Sequence, residues 1–372
     1  MGIHPDFTTD PQDWLIRHGC EAPVFFFSPK VLADTALFFE ENFPGEVTYA
    51  VKANPAPGVL QTLCRAGMRA FDVASPAEMA QVRAVCPEAR LHYHNPVRAM
   101  SEIATARGHR ITSWSVDRAS ELDKLGEIAG QEIAVRLKLP VKGATYDFGS
   151  KFGAEPEAAV TLLRTVVARG GRPSITFHPG TQCDDPTPWQ RYIEVSACVA
   201  AQAGVRLHRL NVGGGFAAFR STRAPDLQRV FSAIKQSVQS AFGDAQPALV
   251  CEPGRAMVSE AFTLALGVKA LSGDVVFLND GLYGALMEWR DIPAPERITA
   301  LAPDGTPRRA APMPRTVFGP TCDSLDRLPE ALPLPADLQE GDRVMIRGMG
   351  AYSQCLATGF NGYGQPHLVV TE

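Results

Sequence analysis

The sequence predicts a (β/α)8 barrel, of the α/β class, followed by a C-terminal antiparallel β domain. Three observations lead there. Short β-rich runs alternate with helical stretches from Val24 to about Ser259. Eight of those runs qualify as strands, the number that closes a parallel barrel with crossover helices. After Ser259 the long helical stretches stop, and β-rich runs follow one another between Pro/Gly loops. A doubly wound open sheet shares the first observation and is the structural alternative. The barrel is expected over residues 28–260 and the β domain over 1–27 plus 261–372.

Taken in order, PVFFFS (23–28) is a first strand and a helix follows near 30–42. The eight barrel candidates are VTYAVKA (47–53), AFDVA (70–74), RLHYHN (90–95), ITSWSV (111–116), EIAVRLKL (132–139), SITFHP (174–179), LHRLNV (207–212) and ALVCE (248–252). Between them PAEMAQVRAVC (76–86), ASELDKLGEIA (119–129) and EPEAAVTLLRTVVARG (155–170) repeat apolar residues at helical spacing. Beyond Ser259 come FTLALGVKAL, DVVFLND, RTVFG, DRVMIRGMGAYS and HLVVT. The Pro- and Arg-rich stretch 291–315 is expected to be an irregular loop holding one short strand.

Composition narrows the function classes. Hydrophobic residues make up 45% of the 372 and charged residues 20%, which excludes intrinsic disorder. The 36 basic and 40 acidic side chains contain no Lys/Arg-rich run, so a nucleic-acid tract and a polybasic membrane anchor are both excluded. Eight cysteines, at 20, 64, 86, 183, 198, 251, 322 and 355, form no C-x-x-C pair, which speaks against a zinc site or a disulfide framework. The N-terminal MGIHPDFTTDPQDW holds three Asp and no apolar run, unlike a secretory signal. No stretch approaches the ~18 uninterrupted apolar residues of a membrane span. A soluble, cytoplasmic protein is expected.

Polar residues gather at the strand ends of this map. Lys52 ends strand 1, Asp72 strand 2, His94 strand 3 and His178 strand 6, while Arg136 lies in strand 5. Gly213, Gly214 and Gly215 follow strand 7, and Glu252, Gly254 and Arg255 follow strand 8. Barrels build their sites at the C-terminal ends of their strands and often take phosphate after strands 7 and 8. Singly, each residue also fits the start of a solvated loop, and three glycines also fit a flexible turn. Consecutive glycines let backbone N–H groups approach an anion, and Arg255 adds a fixed cation. Neither G-x-G-x-x-G nor a P-loop occurs. Lys52 stands in the apolar strand YAVKANP, where burial lowers an amine's proton affinity and readies it for a carbonyl. An amine, a phosphate cup and a strand-end carboxylate are the parts that hold pyridoxal 5′-phosphate.

With these residues placed, YAVKANP, FDVAS, SITFHPGTQ, LNVGGGF, CEPGRAMV, LNDGLYG, FGPTCDSLD and MGAYS resemble, in order, the motifs of the fold type III pyridoxal-phosphate-dependent decarboxylases. The resemblance spans about residues 23 to 363, and GPTCDSLD looks most like the ornithine branch of that family. It implies an alanine-racemase-like barrel and amine-forming decarboxylation of a basic amino acid, with ornithine giving putrescine. Lysine, carboxynorspermidine and meso-diaminopimelate are the alternative substrates. Lys52 would carry the cofactor, His178 would stack on its ring, and Glu252 would pair with its ring nitrogen. Gly213, Gly214, Gly215, Gly254, Arg255 and Tyr352 would hold its phosphate, with Thr181 nearby. Asp72 and Arg136 would support the lysine and the ring. The family shares its sites across a homodimer, so Cys322, as proton donor, and Asp323, as distal-ammonium clamp, would reach into the partner's barrel.

Two features depart from the family pattern. Pro179-Gly-Thr follows His178 where Val-Gly-Ser is usual, and ALMEWRD is one residue short of the segment that ends in a substrate-binding Asp. Asp291 is therefore the match for that Asp, with Glu288 close by. Taken on composition alone, Cys322 would be a small buried hydrophobe, Asp323 and Asp326 turn residues, and Tyr352 a sheet aromatic. Three rival readings compete with this one. His92 and His94, two apart on one strand, share a face and fit a metal-dependent hydrolase with His178 and Lys52, but that leaves GGG and EPGR unexplained. An inactive regulatory relative would lack Lys52 or the Cys322–Asp323 pair. An alanine racemase would need a Tyr base in place of GPTCDS.

Overall fold

The computed structural model describes residues 6–140 and 151–372, so the first five residues of the N-terminal segment lie outside it. The chain divides into two compact units. One comprises Thr35–Ala217 with Pro225–Met257, and the other Met1–Asp34, Ala218–Ala224 and Val258–Glu372.

The first unit is an all-parallel sheet that returns to its own first strand. That strand comes in two pieces, Glu46–Val47 and Tyr49–Ala50. Around from it stand Ala70–Val73, Arg90–Tyr93, Ser113–Val116, Glu132–Arg136, Arg172–Thr176, Arg209–Asn211 and Ala248–Cys251, each beside the next. Tyr49–Ala50 pairs with Ala70–Val73 on one side, and Glu46–Val47 pairs with Ala248–Cys251 on the other. Thr48 spans the break, donating to Cys251 O from its N–H at 2.8 Å and its hydroxyl at 2.9 Å. The ring has no free edge, so it is the eight-stranded barrel and not the open sheet. All four residues of Ala70–Val73 and of Ser113–Val116 are buried, as expected of strands covered on both faces.

Local sequence sets the barrel helices. Ser75 caps Pro76–Val85 by accepting from Glu78 N at 3.3 Å, and the Glu78 carboxylate accepts from Ala74 N at 2.7 Å. Thr187–Ala203 ends on Gly204 in the left-handed conformation. Phe39, Phe216 and Phe231 form an edge-to-face cluster, with ring centroids 5.4–5.7 Å apart, between helix and barrel loop. Two expectations need correction. The first strand ends at Ala50, and Val51–Ala53 turn into a 3-10 helix. The helix expected over 119–129 stops at Lys124, ahead of Gly126 at φ +59°.

The second unit is a nine-stranded sheet among the described residues, and it is mixed, not antiparallel as expected. Phe262–Ser272 is its longest strand and pairs antiparallel with Val24–Phe27, Arg343–Arg347 and Val275–Leu278. His367–Thr371, however, lies parallel to both Asp6–Thr8 and Val24–Phe27, and Val275–Leu278 lies parallel to Pro312–Phe318. Period-two alternation is the same in both orientations, which is why the sequence does not distinguish them. Ile298–Leu301 is the short strand expected within 291–315. Trp14, Phe26, Ala265, Met345 and Val369 pack as a core on one face.

Candidate active site

At the C-terminal ends of the barrel strands lies a cavity of about 310 Å³ lined by Lys52, Asp72, His94, Arg136, His178 and Glu252, among others. The volume sits near the low end of small-molecule sites, roughly 300–1,000 Å³. Lys52 differs from expectation in its setting: it stands on the 3-10 turn after the broken first strand, with its side chain exposed to this opening rather than buried in a strand. The turn is packed from beneath by Gly254, where a Cβ would come within 3.1 Å of Ala53 Cβ and 3.2 Å of Ala50 Cβ.

Glu252 is the most constrained group. Its Oε1 accepts from His94 Nδ1 and from Asn211 Nδ2, each at 2.5 Å. Burial alone would raise its carboxyl, but the charge and hydrogen bond of His94, with Lys52 and His178, hold it down at about 2. It is therefore an anion at neutral pH. Burial, and then the Lys52 and Arg136 charges, press His178 down to about 3, so its ring is neutral. Burial and repulsion from Glu252 push Asp72 up to about 7. Asp72 Oδ1 is buried without a hydrogen-bond partner among the described residues. Arg136, its guanidinium 5.2 Å from the centre of the Phe152 ring, is lowered by burial.

The glycine turn is shaped by backbone contacts. A Cβ on Gly213 would meet Phe177 O at 2.1 Å, on Gly214 Glu252 O at 2.7 Å, and on Gly215 Gly180 O at 2.7 Å. Gly213 N–H already donates to Asn211 Oδ1 at 2.9 Å, so as an anion donor the turn relies on Gly214 and Gly215. Arg255 and Thr181 are buried, and neither lines the cavity. An anionic carboxylate, a neutral imidazole, an amine, a buried arginine and an unsatisfied Asp72 oxygen fit pyridoxal phosphate. They do not present a metal centre. Asp72, His94 and Glu252 converge within 4.8 Å among the described residues, but His94 uses Nδ1 on Glu252 and Nε2 on Ser113 Oγ at 2.9 Å. Its strand-mate His92 also binds Ser113 Oγ, at 2.8 Å.

The remaining candidates lie in the second unit. Exposed Cys322 and half-buried Asp323 stand beside a groove of about 490 Å³ that Lys269, Phe277, Phe318 and Thr321 also line. Asp323 accepts from Leu325 N at 2.9 Å and Tyr283 OH at 2.7 Å, which together lower its carboxyl below the usual range. Asp326 is buried and accepts from Leu282 N and the Thr321 hydroxyl, each at 2.8 Å, clamping the loop that carries Cys322. Asp291 pairs with neighbouring Arg290 at 2.9 Å, and Glu288 with buried Arg220 at 2.9 Å. Tyr352 holds φ +54°, a strained conformation for a non-glycine residue. Sequence reasoning missed Asn211 and Ser113. Asn211 adjoins the glycine run, which was a usable signal, whereas Ser113 has none.

Known proteins place these observations in a family context. The profile described as "Pyridoxal-dependent decarboxylase, pyridoxal binding domain" matches residues 31–259. A decarboxylase of Aspergillus flavus is 33% identical over 337 residues, covering 85% of this chain and 77% of its own. Ornithine decarboxylase 2 of Drosophila melanogaster is 31% identical over 342 residues, covering 86% and 84%. The structure of lysine/ornithine decarboxylase from Vibrio vulnificus, complexed with cadaverine, superposes with a TM-score of 0.82 at 26% identity, over 97% of both chains.

Proposed function

Because the chain belongs to the pyridoxal-dependent decarboxylases, and so is an enzyme that releases CO2 from a basic amino acid with pyridoxal 5′-phosphate as cofactor, we propose L-ornithine as its substrate and putrescine as its product. The observation that carries the site assignment is the convergence of Lys52, His178 and an anionic Glu252 on one cavity. When bound, the cofactor supplies the electron sink for the bond to the departing carboxylate.

The residues divide the work. Lys52 holds the cofactor covalently through its amine. Glu252, anionic and fixed by His94 and Asn211, pairs with the ring nitrogen and keeps it protonated. His178 lies against the ring without adding charge. Gly214, Gly215 and Arg255 would hold the phosphate. Asp72 and Arg136 line the same cavity as Lys52. Cys322 Sγ delivers the proton that replaces CO2 on the α-carbon, and Asp323 clamps the distal ammonium by a charge-assisted hydrogen bond. Both act in the barrel of a partner subunit, in a cytoplasmic homodimer. The ornithine assignment is supported by the GPTCDSLD segment and by the Drosophila relative.

Lysine is the second reading, favoured by the cadaverine complex of the Vibrio enzyme. The test is an incubation of the cofactor-loaded protein with equimolar L-ornithine, L-lysine, L-arginine and meso-diaminopimelate, with products identified by mass spectrometry. Putrescine is expected to dominate. Cadaverine or agmatine as the main product overturns the substrate assignment and leaves the family standing.

A further inference from the structure

Inside the barrel, a line of polar side chains leads from Glu252 toward the N-terminal ends of the strands. Glu252 Oε1 lies 2.5 Å from His94 Nδ1, His94 Nε2 lies 2.9 Å from Ser113 Oγ, and Ser113 Oγ lies 2.8 Å from His92 Nδ1. His92 Nε2 then lies 3.8 Å from Glu46 Oε2. All but Glu46 are buried, with Ser113 at 0% and His92 at 1% exposure. The decarboxylation described above makes no use of Ser113 or His92. Two imidazoles and a hydroxyl are costly to bury, and the contacts among them are hydrogen bonds only if donors and acceptors alternate along the line; His92 Nε2, at its far end, has no hydrogen-bond partner among the described residues.

We propose that Ser113 joins His94 and His92 into a relay sharing one mobile proton, so that His94, Ser113 and His92 are positioning residues that set the charge beside Glu252. The inference rests on the reading of Glu252 as partner of the cofactor's ring nitrogen. In one arrangement His94 carries both ring protons, donating from Nδ1 to Glu252 and from Nε2 to Ser113, while the Ser113 hydroxyl donates to His92 Nδ1. In the other, the Nε2 proton of His94 passes to Ser113 Oγ as the Ser113 proton passes to His92 Nδ1. One proton leaves one ring and one arrives at the other, and the total charge is unchanged. Glu252 keeps a hydrogen bond in both, but faces a cation only in the first.

The surroundings favour the first arrangement. Facing His94 are Glu252, the Asp72 carboxylate at 3.9 Å from Nδ1, the Asn211 amide at 3.1 Å, and Glu132 farther off. Around His92 stand Glu46 and the cations Arg209 and Arg90, with Glu252 farther off favouring its charge. Burial disfavours charge on both rings, but Glu252, its hydrogen bond and Asp72 outweigh it at His94 and raise that ring, whereas His94 and Arg209 add to burial at His92 and lower it.

Nitrogen-15 NMR of histidine-labelled protein, with and without cofactor, tests the relay, with signals assigned through His92→Gln and His94→Gln. At pH 7 His94 is expected to be protonated on both ring nitrogens and His92 on Nε2 alone. Ser113→Ala removes the acceptor for the His94 Nε2 proton, so the His94 midpoint falls by about one to two pH units, the size of a lost hydrogen bond to a charged group. Ser113→Thr restores it, which a merely space-filling role would not. A neutral His94 in the wild-type protein at pH 7 overturns the proposal without any variant, and so does an unmoved midpoint in Ser113→Ala. Failure of the Glu252 reading looks different: the bound cofactor's absorbance would be the same in Glu252→Gln as in the wild type, whatever the histidine signals do.

Discussion

At the scale of single residues, His178 and Asp72 act on stability in opposite senses. The native ring of His178 takes its proton only near pH 3, against an unperturbed 6.5. Between those values the unfolded chain binds a proton that the native chain does not, so this group costs stability as pH falls through that window. Asp72 has its native midpoint raised from 3.8 to about 7. There the native chain holds the extra proton, and stability is lost as pH rises from 3.8 toward 7. Each slope is at most about 1.4 kcal/mol per pH unit, and less for His178, whose ring partly faces the cavity. In cofactor-free protein the two offset each other between about pH 4 and 6.5. Urea unfolding at pH 5 and pH 7 should therefore give similar midpoints for the wild type. Asp72→Asn should be weaker at pH 5 than at pH 7, and His178→Gln the reverse. Below pH 4 the offset ends. Glu252, depressed from 4.5 to about 2, then loses its stabilising charge as well, and stability should drop steeply.

Among elements, the turn after the seventh barrel strand is the least tolerant of change. Gly213 combines φ +68° with a Phe177 carbonyl where a Cβ would go, so Gly213→Ala should cost about 3 kcal/mol or more in urea unfolding. Gly254 has no such φ and meets only two methyl groups beyond 3.0 Å, so Gly254→Ala should cost about 1 kcal/mol. The order of the two losses is the check. Much of this architecture is legible in the sequence, because parallel strands buried on both faces read as apolar runs and their helices keep a helical period. The end of the first barrel strand at Ala50 is not, since a 3-10 turn and a strand end use the same residues in YAVKA. Nor is the orientation of His367–Thr371, whose neighbours are hundreds of positions away. In the site, Lys52, His178 and Glu252 are legible as polar residues at strand ends. His94 is legible as another strand-end residue but without its role beside Glu252, and Ser113 gains meaning only from the strands that bring it between two histidines.

For the whole molecule, the proposal that Cys322 and Asp323 of a partner subunit complete the site has a measurable consequence. Lys52→Ala and Cys322→Ala should each be nearly inactive alone. Mixed in equal amounts and allowed to exchange subunits, they form half heterodimers with one intact site each, and activity should return to about a quarter of the wild type. No recovery despite exchange would place both residues in a site built by one chain. The second unit also imposes a timetable on synthesis. Its last strand, His367–Thr371, inserts between Asp6–Thr8 and Val24–Phe27, and the Thr371 hydroxyl bonds to Phe27 O, 344 positions earlier. The barrel unit, by contrast, is drawn from the interior of the chain, up to Met257. At roughly 5–20 residues per second on the ribosome, the first two strands wait roughly 17–70 s for the neighbour that separates them. VFFF is fully buried in the finished sheet; one of its edges can pair with Phe262–Ser272 once that strand is made, but the other stays open until His367–Thr371 follows. A chain cut short of His367 leaves that second edge unpaired.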